Sequence, residues 1–303
     1  MNKGLMFALL TAIVSGVAIF VNKFAVGGID PFAFTTAKNI IVAIFLISTF
    51  FLIKDFSKLK ALTKKNWLQL GTIGLVGGSI PFLLFFYALS LTSAINAGFI
   101  HKSLFLFASV FALIFLKEKL NLNFFVGAVL LLAGNFLLLS ISSFGFPEFL
   151  ILLATLLWAG ENVISRHVLS EIPARTVAFG RMFFGSAIML LFLFATNQWQ
   201  AMLEFSIPQL QWIILTGALL FLFVLFWYNA LKFEKVSIVT SVLLLGQPIT
   251  ALLSLVFLGQ IISPNQAAGF LLIFAGVGVI VGFSYTINST RLKKLFNVFK
   301  ISY

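Results

Sequence analysis

The chain has 303 residues, of which 61% are hydrophobic and 9% charged, with a mean hydropathy of +1.13 and a formal net charge of +12. No soluble domain of this length buries enough surface to hide that composition, so its solvent is a lipid bilayer. There is no cysteine, which excludes disulfides and thiolate metal centres.

Ten apolar stretches approach the ~20 residues that a helix needs to cross the hydrocarbon core. In order they are Gly4–Phe24, Phe32–Ile53, Leu68–Leu89, Ser93–Leu116, Leu122–Ile141, Pro147–Val168, Arg175–Ala195, Leu210–Leu231, Val236–Leu258 and Asn265–Tyr285. The first follows Lys3 as a secretory leader would. It shows no small-residue cleavage site and is followed by further spans, so it reads as a retained helix. Breaks are marked by Gly27-Gly28-Ile29-Asp30-Pro31, the Lys-rich stretch 54–65, Lys117-Glu118-Lys119, Phe144-Gly145-Phe146-Pro147 and Ser263-Pro264-Asn265.

Ten spans alternate sides, so the basic residues test the topology. With the N-terminus in the cytoplasm, sixteen of the 20 Lys and Arg fall at Lys3 and within 54–65, 117–119, 166–175, 232–235 and 291–300, all on one side. The opposite loops 90–92, 142–146, 196–209 and 259–264 hold none. The net positive charge is therefore a sidedness signal, which removes a nucleic-acid partner from consideration. The remaining Lys23, Lys38, Lys102 and Arg181 fall inside spans. In the tail 286–303, Leu292, Leu295, Phe296 and Phe299 interleave with basic residues. That segment reads either as an interfacial helix or as a frayed basic tail on the cytoplasmic side.

The segment from Pro31 to Gly134 recurs from Pro173 to Gly276 at a constant offset of 142 residues. In register, Ala88-Leu89 meets Ala230-Leu231, Gly127 meets Gly269, and Ala133-Gly134 meets Ala275-Gly276. Five spans per copy is an odd number, so the copies lie inverted in the membrane, an arrangement typical of secondary transporters. The division is 1–141 for the first repeat and 147–285 for the second.

This ordered set resembles the EamA family of the drug/metabolite transporter superfamily. The carrying residues are Ser15-Gly16 and Trp158-Ala159-Gly160 in the first span of each half. They continue with Phe86-Tyr87-Ala88-Leu89 and Trp227-Tyr228-Asn229-Ala230-Leu231, with Pro248 in the ninth span, and with Glu118 or Gln260 closing the fourth and ninth. Leu106 stands where the first half would carry the proline, so a straighter fourth helix is expected. The resemblance implies a central cavity lined by the first, third and fourth helices of each half. It also implies fifth helices that pack or form a homodimer at the side, and no cofactor. Gly74-x-x-x-Gly78 and Gly278-x-x-x-Gly282 read as ridges for close helix packing.

An ionisable group near the bilayer centre costs roughly 3 kcal/mol or more, so each needs a partner, water or a task. Lys102, with His101 beside it, lies midway along the fourth span, and Glu161 lies midway along the sixth. Two readings are open: a Lys102–Glu161 salt bridge that fixes packing, or a site. In the site, Lys102 holds a substrate anion while Glu161 takes a substrate amine or a coupling proton. Polar faces at helical spacing support an inward site: Trp158, Glu161 and Ser165 with Asn162; Thr240, Gln247, Thr250 and Ser254; Thr11, Ser15 and Asn22. Tyr87, Trp158, Trp227 and Tyr228 are candidates to stack on a substrate, with an interfacial aromatic belt the alternative for all but Trp158. Lys38 and Arg181, nearly repeat-equivalent, read as structural residues that snorkel or cap carbonyls, and Lys23 as a snorkelling residue. His167 reads as solvated.

No H-E-x-x-H, G-x-x-x-x-G-K-[ST] or G-x-S-x-G motif occurs, which disfavours an embedded enzyme. No ion-filter sequence favours a channel. The chain therefore reads as an all-α, ten-helix carrier of the inner membrane that moves a small polar or zwitterionic, amino-acid-like metabolite by alternating access. An exchanger of organic anions or phosphorylated metabolites built on Lys102 and His101 is the alternative within the class; a non-transporting receptor or channel is the alternative outside it.

Overall fold

The structure, a computed structural model, describes residues 2–25, 28–92, 94–138 and 144–286. The Lys23 side chain and the basic segment 291–300 lie outside the described residues. Among those residues every regular element is helical. Nine helices are long and apolar enough to cross a bilayer, and a shorter apolar tenth, Leu122–Leu137, nearly reaches the edge of a described stretch. We number the ten α1 (Lys3–Ala25), α2 (Pro31–Ile53), α3 (Lys64–Leu91), α4 (Ala94–Lys102 continued by Leu104–Phe115) and α5 (Leu122–Leu137). The second half comprises α6 (Phe146–Val168), α7 (Ala174–Ala195), α8 (Ile207–Phe233), α9 (Val236–Leu258) and α10 (Pro264–Thr286).

Local signals set the boundaries. Asp30 Oδ1 accepts from Ala33 N at 2.8 Å just ahead of Pro31, and Asn121 Oδ1 accepts from Phe124 N at 2.9 Å. A reciprocal Thr63–Asn66 cap starts α3 at Lys64, earlier than the apolar run from Leu68 suggests. At the far ends of α4 and α9, Lys117 and Gly259 take left-handed backbone at φ 53° and 63°, one repeat apart.

The two halves interlock. Helix α1 packs on α8 and α9, and α6 packs on α3 and α4, which are the repeat-equivalent pairs. The inversion is explicit where α5 meets α10. A Cβ on Gly127 would lie 2.7 Å from Gly276 O, and one on Gly134 would lie 2.7 Å from Gly269 O. Because Gly269 and Gly276 are the repeat mates of Gly127 and Gly134, each contact is the other turned through a two-fold axis. Only hydrogen at Cα permits that approach. The Gly74 and Gly78 ridge also packs tightly, against Phe184 and Gly185 of α7. The Gly278 position does not, since a Cβ there would meet no heavy atom within 4 Å among the described residues.

Three spanning helices are interrupted at mid-depth. In α3, six residues from Gly74 to Ser79 form a π turn, with Ser79 Oγ donating to Gly74 O and Leu75 O. In α9 a short 3₁₀ segment, Leu243–Leu245, precedes Pro248, whose missing N–H leaves Leu244 O without its helical donor. Helix α4 is not the straighter partner expected from Leu106. It breaks at Ser103, whose hydroxyl donates to Ile100 O at 2.6 Å and so supplies the bend without proline.

The linkers rich in lysine and arginine meet at one end. There Arg175 pairs with Asp55 at 3.2 Å, Lys235 Nζ donates to Lys119 O, and Arg166 donates to Leu231 O and Lys232 O. Glu118 caps the start of α9 by accepting from Val236 N, Ser237 N and Ser237 Oγ. His167 is exposed.

Candidate functional site

The centre of the molecule is organised by one carbonyl. Pro81 cannot donate to Gly77 O four residues earlier, so the sequence leaves an acceptor open inside the α3 π turn. Two side chains from the other half fill it: Trp158 Nε1 at 3.0 Å and Arg181 Nη2 at 3.0 Å. Glycine is required here, because a Cβ at residue 77 would lie 2.3 Å from Glu161 Cγ and 3.3 Å from Arg181 Nε. Arg181 is 5% exposed, with its guanidinium near the faces of Phe82 and Tyr228. Its Nε has no hydrogen-bond partner among the described residues.

Glu161, 1% exposed, accepts at Oε1 from Tyr228 OH at 2.7 Å and from Ser165 Oγ. No hydrogen bond reaches its Oε2 among the described residues. Of the two readings left open by the sequence, the salt bridge does not form: no Lys102–Glu161 ion pair within 4 Å occurs among the described residues. Among the described residues the ion pairs within 4 Å are Arg175–Asp55 and Lys65–Glu171, each joining the first turn of a helix to a linker. The hydroxyls of Tyr228 and Ser165 reach Glu161 first, and Arg181 supplies the nearby positive charge.

Around this cluster lies a cavity of about 210 Å³, lined by Ser15, Lys38, His101, Lys102, Trp158, Glu161, Asn162, Arg181 and Trp227, with Phe82, Phe85, Phe86 and Phe223 forming an aromatic wall. Asn162 Oδ1 accepts from Trp227 Nε1 at 3.0 Å, so those two fix each other. His101 meets the Trp158 ring edge-on at 4.9 Å, with Nδ1 unpartnered. Lys38 is 4% exposed, and its ammonium lies 4.9 Å from the Phe34 ring and 4.6 Å from Phe86. Neither Lys38 nor Arg181 snorkels; both turn inward, since rings and a backbone carbonyl offer each a contact at depth.

A second cavity of about 330 Å³ adjoins the first, with Ile19 and Lys102 lining both. Gln247 belongs to this one and donates from Nε2 to Asn135 Oδ1 at 3.0 Å. Tyr87 joins neither cavity; it is 39% exposed and stacks on Phe32 at 5.6 Å. The repeat offset explains why. Tyr87 is the mate of Asn229, whereas the cavity aromatics Phe85 and Phe86 are the mates of Trp227 and Tyr228. A resemblance at the level of Tyr-Ala-Leu shifts the motif by one residue, and the gapless offset corrects it. The orphaned Gly77 carbonyl is likewise a sequence signal for an inward arginine. Tyr87→Ala is accordingly expected to leave ligand-induced thermal stabilisation unchanged, which a thermal-shift titration checks.

The sequence profile of the EamA-like transporter family matches residues 2–140 and again residues 145–282. A curated relative from Clostridium kluyveri, described as an uncharacterized transporter, is 25% identical and aligns over 98% of both chains. One solved crystal structure superposes with a TM-score of 0.73 at 21% identity, covering 93% of this chain and 99% of that one. At that identity the likeness concerns the fold alone.

Proposed function

The chain belongs to the EamA-like transporter family, and from that premise we propose that it carries a small metabolite recognised through an anionic group. The observation that carries this reading is the charge inventory of the inner cavity, where Lys38, Lys102 and Arg181 face the single carboxylate Glu161. Glu161 is already engaged by Tyr228 and Ser165, which leaves Lys38 and Lys102 without a carboxylate partner among the described residues. Unpaired ammonium groups at membrane depth mark a ligand site by their cost. The aromatic wall suits the apolar body of the same solute, and a cavity of about 210 Å³ limits it to a small one.

A zwitterion such as an amino acid is the second reading, favoured by the open Glu161 Oε2, which can accept from a substrate ammonium or hold a coupling proton. In either case the inverted halves rock about the midplane, exposing the site to one side and then the other. The one-sided basic residues of the sequence support a cytoplasmic N-terminus and, with ten spans, a cytoplasmic C-terminus in the inner membrane.

A thermal-shift panel of monocarboxylates, amino acids, phosphate esters and quaternary amines on purified protein tests the reading. Carboxylates or amino acids are expected to raise the unfolding temperature; a response to quaternary amines alone overturns it. A Lys102→Glu/Glu161→Lys double variant is expected to stay inactive in counterflow, because the two residues do not neutralise each other. Recovery of transport would restore the salt-bridge reading.

A further inference from the structure

The polar cavity beside the central one has no role in the resemblance, which leaves the fifth helices at the side. It is lined mainly by α4, α5, α9 and α10, with Ile19 of α1 at its inner side, and α5 contributes Asn135 to its wall. Its lining is graded in depth. Gln260, Ile261 and Gln266 are exposed, Ser254 and Gln247 are half-buried, and Asn135 and Lys102 are 2% and 4% exposed. The cavity thus runs from the end of the molecule opposite the basic linkers down to the residue that also lines the central cavity.

Its chemistry differs from that of its neighbour. The amides of Gln247 and Asn135 are joined at 3.0 Å, and Asn135 Nδ2 reaches Phe99 O at 3.4 Å. Gln247 Oε1 is buried with no partner among the described residues, so the pair is incompletely satisfied there. Amides and hydroxyls with a single cation at the inner end make a path that solvates a small anion without trapping it. At the other end of the molecule, the Glu118 cap and the Arg175–Asp55 pair tie linkers to the starts of α9 and α7.

We infer that this α4/α5/α9/α10 cavity is the entrance station of the transport path. An organic anion enters from the face opposite the basic linkers, is solvated by Asn135, Gln247 and Ser254, and is passed inward by Lys102, which it meets from both cavities. The inference rests on the anion reading given above for the central cavity.

The absence of cysteine makes the test direct. Single reporters Ser254→Cys in the entrance station and Ser15→Cys in the central cavity are exposed, in sided vesicles, to an anionic sulfonate methanethiosulfonate and to its cationic trimethylammonium analogue. Ser254→Cys is expected to react from the face opposite the basic linkers. It should favour the anionic reagent by about tenfold after correction for free-thiol rates, as a cleft focusing positive potential does. Lys102→Gln should remove that preference, and prior blocking of Ser254→Cys with a bulky thiol reagent should protect Ser15→Cys in the double variant. Should Ser254→Cys impair folding, Ala251→Cys lines the same cavity and replaces it. If Ser15→Cys keeps the anion preference while Ser254→Cys shows none, or if blocking gives no protection, the entrance station is wrong and the central reading stands. If neither position prefers the anion, both fall.

Discussion

Lys102→Ala is expected to abolish saturable, trans-stimulated uptake in proteoliposomes while leaving the empty protein as stable as before, or more so. Lys102 is 4% exposed, lies at the break in α4 and has no carboxylate within 4 Å among the described residues. An uncompensated charge at that depth disfavours the folded state by roughly 3 kcal/mol, so its removal relieves the fold even as it removes the anchor. Function and stability should therefore move in opposite or independent directions, the signature of a site residue rather than of a packing residue. Two readouts separate the cases: counterflow for transport, and the thermal unfolding midpoint without ligand. A drop of several degrees in that midpoint together with lost transport would reassign Lys102 to structure.

The second large effect belongs to the fold. In Gly185→Val the added Cβ would lie 2.4 Å from Gly78 O and 2.5 Å from Gly78 C, backbone against backbone with no side chain able to yield. Helices α3 and α7 must separate, and the separation also stretches the Arg181–Gly77 bond at 3.0 Å and disturbs the Asn39–Gly78 contact at 3.3 Å. Overpacking costs about 1–3 kcal/mol and a lost bond to a charged donor about 1.5–3 kcal/mol. A loss of that size removes much of a domain's stability margin. Size-exclusion recovery of solubilised protein is expected to collapse for Gly185→Val. It should remain at the parental level for Gly278→Ala, where the new methyl meets nothing within 4 Å. Parental recovery for Gly185→Val would mean that α3 and α7 do not approach as closely as described.

This second effect acts within a few ångströms of the α3 carbonyl that anchors the cavity's arginine. The π turn and Pro81 free the Gly77 carbonyl, and Arg181 and Trp158 fill it, so the Gly78–Gly185 approach sets where the guanidinium sits in the cavity. Packing in this region is therefore also positioning.

The primary sequence by itself determined ten spans, their inverted pairing and the gathering of basic linkers at one end. Each of these depends on one-dimensional quantities: length of apolar run, parity of span count and placement of Lys and Arg. The gapless offset paired Gly127 with Gly269 and Gly134 with Gly276, while the contacts Gly127–Gly276 and Gly134–Gly269 came from the tertiary structure. Only the tertiary structure decided which polar groups meet. Glu161 turned to Tyr228 and Ser165 instead of Lys102, Arg181 and Lys38 turned inward, Gln247 joined Asn135 in a separate cavity, and Tyr87 faced away. A helix advances about 100° per residue, so the π turn in α3 and the break at Ser103 each rotate everything beyond them. Apolar periodicity in so hydrophobic a chain is too weak to register that rotation. What fixes it is the contact between halves, where a missing proline N–H and a missing Cβ admit one arrangement of side chains at the centre.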